Sequence, residues 1–319
     1  MDRIEAIKKW IKTNLNQRFK LELASSDASF RRYFRVISNN KTYILMDAPP
    51  QLERIDHFVN ITDKLIAAEI NSPKIISFDT ELGFILMTDF GSQTFLDVLD
   101  NNNSHELYPK AIHSLLKIQT KVDTQGLQNY SEGLLISEMA LFPEWYLTKL
   151  KKINLEDQAL LSNIFSLISK KILTQNKCFV HRDYHSRNLM FIAEGDPGIL
   201  DYQDAVEGPL TYDLVSLLKD AYIEWDEDFV LDQAVRYWEK AKKAGLIKNE
   251  DFSSFYEDFE WMGVQRHLKI LGIFSRLSIR DKKDQYLRDI PLVEKYLMFT
   301  SERYKNLHPL RKILDKVVS

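Results

Sequence analysis

A chain of 319 residues, 45% of them hydrophobic, can bury a substantial core and is long enough for two lobes or domains, and 46 acidic against 43 basic residues leave a formal net charge of only −3. That balance, with no long Lys/Arg block, gives no electrostatic footprint for nucleic acid or an anionic membrane, so neither partner is expected. Asp2, Arg3, Glu5, Lys8 and Lys9 interrupt the N-terminal apolar positions, no later apolar run reaches bilayer-spanning length, and a single cysteine, Cys178, excludes an internal disulfide and a cysteine-based zinc cluster; a cytoplasmic protein is the expectation.

Ile4, Ile7, Trp10, Ile11 and Leu15 recur at helical spacing and predict an N-terminal helix. Arg31 to Ser38 and Lys41 to Met46 are β-prone runs joined at Asn39-Asn40, residues that tolerate the positive φ of a hairpin turn. Pro49-Pro50 then stops the sheet. Leu52, Ile55, Phe58, Val59, Leu65 and Ile66 predict a helix over 52–70, and Lys74 to Phe78 and Phe84 to Met87 read as two more strands. These elements make a small β-rich lobe, residues 1–89. Beyond it the pattern turns helical, near 94–100, 105–121, 135–150 and 156–173 and repeatedly after 209, so a larger, mainly helical lobe is expected over 90–319. The junction, near 88–93, contains Asp89-Phe90-Gly91, which spells a kinase metal motif by letters alone. It lies far upstream of the acids described next, so we read it as a hinge, with the backbone of Met87, Asp89 and Phe90 offered to an adenine edge.

Leu189-Met190-Phe191-Ile192 and Gly198-Ile199-Leu200 are short apolar runs broken by Glu194-Gly195-Asp196-Pro197, a composition that predicts a tight hairpin. His181-Arg182-Asp183-Tyr184-His185-Ser186-Arg187-Asn188 leads into it and Asp201 follows it. A hairpin brings Asn188 and Asp201 to one edge, where one ion can touch both. Moving a phosphoryl group requires a carboxylate beside the acceptor hydroxyl and oxygen ligands for magnesium on the nucleotide phosphates. Asp183 supplies the first, Asn188 and Asp201 the second, at the spacing of a kinase catalytic loop and its following metal aspartate. Turn capping at Asp183 and a strand end at Asp201 are ordinary uses of aspartate, but they leave the joint spacing unexplained. ATP and Mg2+ are therefore expected. His181 is expected to brace the loop, His185 to pack or to contact phosphate, Asp204 to reach acceptor or metal, and Asp213 to tie down the loop from the start of its helix.

Val180-His181-Arg182-Asp183-Tyr184-His185 through Asn188, with Ile199-Leu200-Asp201, resembles the aminoglycoside phosphotransferase and choline kinase superfamily, a small-molecule branch of the protein-kinase-like fold. That resemblance implies an α+β, two-lobe fold. His185 stands where protein kinases usually place Lys, and no Ala-Pro-Glu follows a long activation loop; Pro209-Leu210-Thr211-Tyr212-Asp213-Leu214 opens a helix instead. Ser26 to Arg35, Met46-Asp47-Ala48-Pro49-Pro50, Asp201-Tyr202-Gln203-Asp204-Ala205 and Gln265-Arg266-His267-Leu268-Lys269 are similar to bacterial cell-wall recycling kinases. These phosphorylate the anomeric hydroxyl of N-acetylmuramate and often N-acetylglucosamine, and the likeness runs from about residue 24 to 295. It implies a small amino-sugar partner, no obligate protein partner, and an acceptor side drawn from His185, Gln203, Asp204, Arg266 and His267. A kinase for another small hydroxyl or amino compound, and a catalytically weak nucleotide-binding module, are the competing readings.

Two features depart from the general kinase pattern. No glycine lies between Ser25 and Arg35, where a phosphate-covering loop usually carries several, so Ser26 and Ser29 are expected to donate in their place. Met46 occupies the slot of the ATP-binding lysine. One of Arg31, Arg32 and Arg35 is expected to supply the missing charge, with Arg32 the first choice. Strand alternation puts Arg31, Tyr33 and Arg35 on one face and Arg32 and Phe34 on the other, and only one set can face the nucleotide. Arg266 and His267, on an apolar helix, suit a neutral or carboxylate-bearing acetylated sugar better than a polycation; an internal salt bridge or polar pair is their alternative.

Overall fold

The computed structural model describes residues 2–26, 31–155, 157–248 and 251–318. Helix α1 (Arg3–Leu15) buries Ile7 and Ile11 and is followed by strands β1 (Lys20–Ser26), β2 (Arg32–Ser38) and β3 (Lys41–Asp47). Asn39 and Asn40 take φ of 48° and 62° between β2 and β3, as the expected hairpin turn requires. Helix α2 (Asp56–Ala67), β4 (Ile75–Asp79) and β5 (Phe84–Thr88) complete an antiparallel sheet of order β1-β2-β3-β5-β4. Strand β1 is the element that sequence reading left out. It is an edge strand on which Leu23 is 63% exposed, so its short alternation marks no core face.

The helix expected over 52–70 starts only at Asp56. After Pro49-Pro50 the amides of Leu52 and Glu53 both bond back to the Pro49 carbonyl, at 2.9 and 3.0 Å, and this turn holds Glu53 outside the helix. The sheet is apolar on both faces. Phe34, Val36, Leu45, Phe84 and Leu86 pack under α1, whereas Met46, Ile85 and Met87 point the other way, into a core shared with the helical part of the chain.

After the connector come α3 (Phe95–Val98), α4 (Ser104–Lys121), α5 (Glu132–Met139), a π-helix (Phe142–Leu150) and α6 (Gln158–Ile172). The single helix expected over 135–150 is thus broken, with Pro143 in the first turn of the π-helix. Short strands β6 (Lys177–Val180), β7 (Leu189–Met190), β8 (Gly198–Ile199) and β9 (Val206–Pro209) pair as β6 with β9 and β7 with β8. Helices α7 (Tyr212–Leu218), α8 (Glu227–Lys243), α9 (Phe252–Asp281), α10 (Ile290–Arg303) and α11 (His308–Val318) follow. Helix α9 runs 30 residues through the middle of this lobe, buried on nearly every face. Gly272 allows its close approach to the chain before the π-helix, since a Cβ there would stand 2.4 Å from the Leu141 side chain. Cys178 is a buried free thiol in β6. Among the described residues, no helix is long and apolar enough to cross a membrane.

Candidate active site

Strand β6 delivers the chain to His181, and the loop beyond is fixed by a buried carboxylate. Asp213, in the first turn of α7, accepts from the backbone amides of His181 (2.7 Å) and Arg182 (3.0 Å), which lets Arg182 hold a φ of 77°. Burial pushes the Asp213 carboxyl up to about 7, against the two amides that favour its charged form. His181 Nδ1 accepts from the Asp183 amide at 3.2 Å, and burial pushes the imidazole down to about 4, so it braces the loop as a neutral ring. Asp220 completes the clamp by accepting from the Ser186 amide and hydroxyl at 3.0 and 2.5 Å. Burial alone would raise the Asp183 carboxyl, yet nearby Lys269, His185 and Arg266 bring it below its ordinary value.

The β7–β8 hairpin closes as expected. The Leu200 amide bonds to the Asn188 carbonyl at 2.9 Å, and Asn188 Nδ2 donates to the Asp183 carbonyl at 3.0 Å while lying 3.5 Å from an Asp201 carboxylate oxygen. Asp201 adopts a φ of 63°, which turns its carboxylate back toward that amide. Two neighbouring side chains with hard oxygen donors fit Mg2+, which takes one or two protein ligands and completes its shell from phosphates and water.

Around β2 the arginines separate between the two faces of the sheet. Arg31 is 7% exposed; it ion-pairs with Glu53 at 2.7 Å and brings Nη1 to 3.6 Å from Asp201 Oδ1. Arg32, the expected first choice, lies on the opposite face of β2. It pairs at 2.6 Å with Asp47, which Arg3 of α1 also binds, and its guanidinium sits over Phe34. That expectation is corrected by strand alternation: it is Arg31 that faces Asp201. Arg35 is on the cleft face but is held by the connector, through two bonds to Asp89 (2.6 and 3.1 Å) and one to the Gly91 carbonyl (2.7 Å). Met87 lies inside the sheet register, between Ile44 and Ile75, so its backbone belongs to the ladder; the unpaired connector starts at Asp89. Phe90 packs against Gly198 of β8, where a Cβ would come within 2.6 Å of the ring. Ser29 and the side chain of Ser26 lie outside the described residues.

The expected acceptor residues divide between two cavities. One is lined by Asp183, His185, Tyr222, Arg266, Lys269 and Tyr286, among others. His185 is 8% exposed, stacks edge-on to Tyr222 and leaves Nδ1 without a hydrogen-bond partner among the described residues. The other cavity, of about 320 Å³, contains Gln203 and Asp204 together with Arg31, Glu53 and Arg182. Gln203 Nε2 bridges Asp201 (3.0 Å) and Asp204 (3.2 Å), so Gln203 and Asp204 sit beside Asp201 and not beside Arg266. His267 enters neither. Its Nε2 donates to the Lys219 carbonyl at 3.1 Å and its ring stacks on Tyr296, which corrects the expectation that it meets the acceptor.

Sequence reasoning missed Glu53 and Lys269. Glu53 was read as part of the first turn of a helix beginning at Leu52, although the Pro-Pro turn before it was visible. Lys269 stands three residues after Arg266, a separation that puts both on one helical face, and donates to Tyr212 (3.1 Å) and Glu138 (3.0 Å). Glu138 also binds Arg182, Tyr130 and Gln265, which makes it the buried anchor behind the loop that carries Asp183.

An antiparallel sheet packed on a helical lobe, with the Asp183 carboxylate at a cation-lined cavity and Asn188 beside Asp201, is the plan of a kinase-like phosphotransferase. Residues 20–246 match the family described as Phosphotransferase enzyme family, and the chain belongs to that family. It is 42% identical over 327 residues to the N-acetylmuramate/N-acetylglucosamine kinase of Neisseria meningitidis serogroup B, covering 100% of this chain and 97% of that one. To the protein of the same name from Pseudomonas aeruginosa it is 44% identical over 294 residues, covering 91% of this chain and 86% of that one. In fold it is similar to choline kinase LicA from Streptococcus pneumoniae, with a TM-score of 0.68 at 15% identity over 93% of this chain and 99% of that one; LicA has also been solved with AMP.

Proposed function

We propose that the protein transfers the γ-phosphoryl group of ATP to the anomeric hydroxyl of N-acetylmuramate and N-acetylglucosamine. One observation carries this beyond the names of its relatives: the cavity around Asp183 is lined by two cations, Arg266 and Lys269, and by the aromatic rings of Tyr212, Tyr222, Phe274 and Tyr286. Aromatic faces suit the C–H surface of a sugar, and the cations repel aminoglycosides and choline.

Asp183 orients the acceptor hydroxyl and takes its proton as the oxygen forms a bond to the γ-phosphorus; the bond from that phosphorus to the bridging oxygen breaks, and ADP leaves. An anomeric hydroxyl is more acidic than an ordinary alcohol, so a carboxylate held below its usual range is a sufficient base. Asn188 and Asp201 would hold Mg2+, which when bound screens the phosphate oxygens. Arg31, paired with Glu53 beside Asp201, takes the place of the lysine absent at Met46, and the Asp89 to Gly91 connector meets the adenine. Use of ATP supports a cytoplasmic reaction, where sugars released from the cell wall can be recovered.

Asp183→Asn keeps shape and removes the base. Its turnover falls by about 10²- to 10⁴-fold, while ATP affinity, read by calorimetry, stays as in the unaltered protein. Undiminished turnover in that variant refutes the role given to Asp183.

A further inference from the structure

Arg266 is 4% exposed, and its Nη1 has no hydrogen-bond partner among the described residues. Its surroundings explain why. Three carboxylates lie in its neighbourhood, and two are committed: Asp213, whose two oxygens are taken by the amides of His181 and Arg182, and Asp220, taken by Ser186 and the Tyr222 amide. The third, Asp183, lines the same cavity, and its carboxylate makes no hydrogen bond or ion pair among the described residues; the other polar neighbours are His185, Tyr222 and Tyr296. Lys269, the second cation of the cavity, already has Glu138 and Tyr212.

A guanidinium keeps its charge in proteins, and a buried charge without a partner is destabilising, so a buried arginine left open toward a cavity fits a site completed by an anion. Two anions can come there, a carboxylate on the acceptor or the phosphoryl group in transfer. The second already has Arg31 and the metal pair on its own side of Asp201. Arg266 lies instead in the cavity with His185, Tyr222 and Tyr286.

We propose that the Arg266 guanidinium receives the carboxylate of the acceptor's lactyl ether in a forked pair and thereby sets the preference for N-acetylmuramate over N-acetylglucosamine, which has no such group. This rests on the acceptor reading given above. His267, its neighbour in sequence, takes no part, being committed to Lys219 and Tyr296.

The test compares kcat/KM for the two sugars in the unaltered protein and in Arg266→Met and Arg266→Lys. The ratio, N-acetylmuramate over N-acetylglucosamine, falls by about 30-fold in Arg266→Met, chiefly through KM for N-acetylmuramate, and partly recovers in Arg266→Lys. A parallel fall for both sugars, carried by kcat, marks a phosphoryl contact and overturns the proposal, as does an unchanged ratio. Should the variants not fold, the methyl ester of N-acetylmuramate decides with the unaltered protein: it loses the advantage of the free acid if Arg266 reads the carboxylate, and keeps it if the proposal is wrong. An unaltered protein that phosphorylates neither sugar defeats the acceptor reading and this proposal together; one that phosphorylates both while the ratio resists Arg266→Met defeats this proposal alone.

Discussion

Arg31 and Arg32 are adjacent in the chain and serve opposite faces of one sheet. Arg31 reaches Glu53 and Asp201 on the cleft side, and Arg32 closes on Asp47, which Arg3 of α1 also binds. Loss of a buried, charge-assisted contact is worth about 1.5 to 3 kcal/mol, so Arg31→Met lowers kcat/KM for ATP by about tenfold or more, whereas Arg32→Met changes it by about threefold at most. Initial rates with ATP varied at fixed acceptor decide the matter, and the reverse order would restore Arg32 to the nucleotide. The separation of Asp183, Asn188 and Asp201 was legible because it depends on backbone spacing alone. Which arginine faces Asp201 was not, because it depends on which face of β2 the first helix covers, and both faces carry apolar residues.

Helix α9 shows the same limit for a whole element. Its existence was plain from Trp261 to Phe274, but burial on nearly every face leaves no polar stripe to reveal its rotational phase. Consequently Arg266 and His267 were paired as acceptor residues, although about 100° of rotation separates consecutive side chains, and Lys269 was passed over. His267 instead ties α9 to the end of α7 and to α10, and burial with the nearby Arg266 pushes it down to about 3. Below an unfolded value of about 6.5, the unfolded chain binds a proton that the folded chain refuses. The stability contributed by neutral His267 is therefore full above that pH and is lost as the pH falls toward 3, amounting to about 2 kcal/mol at pH 5. His267→Gln keeps an N–H donor and cannot titrate. Its Tm should decline less between pH 7.5 and 5 than that of the unaltered protein, each referred to its own value at pH 7.5, and equal declines would show that His267 does not titrate on unfolding.

At the scale of the whole molecule, a single apolar core passes from Met46, Ile85 and Met87 of the sheet to Val317 near the end of the chain, so the two lobes share packing beneath the connector. Arg35 grips that connector from above, and Phe90 rests on the hairpin that carries Asn188 and Asp201. The two-lobe plan followed from the change in hydrophobic period near residue 89. The division of acceptor candidates between two cavities did not, because Gln203 and Asp204 fall near Asp201 in sequence while the wall bearing Arg266 arrives from an element more than sixty residues later. What the assembled molecule does is tested most directly by incubating it with ATP, Mg2+ and, separately, N-acetylmuramate, N-acetylglucosamine, choline and kanamycin, following ADP release and assigning the phosphorylated atom by phosphorus–proton coupling. A carboxylate at the foot of a cation-lined cavity predicts ADP release with the acetylated sugars and phosphate on the anomeric oxygen; release with choline or kanamycin alone, or phosphate on another hydroxyl, contradicts it.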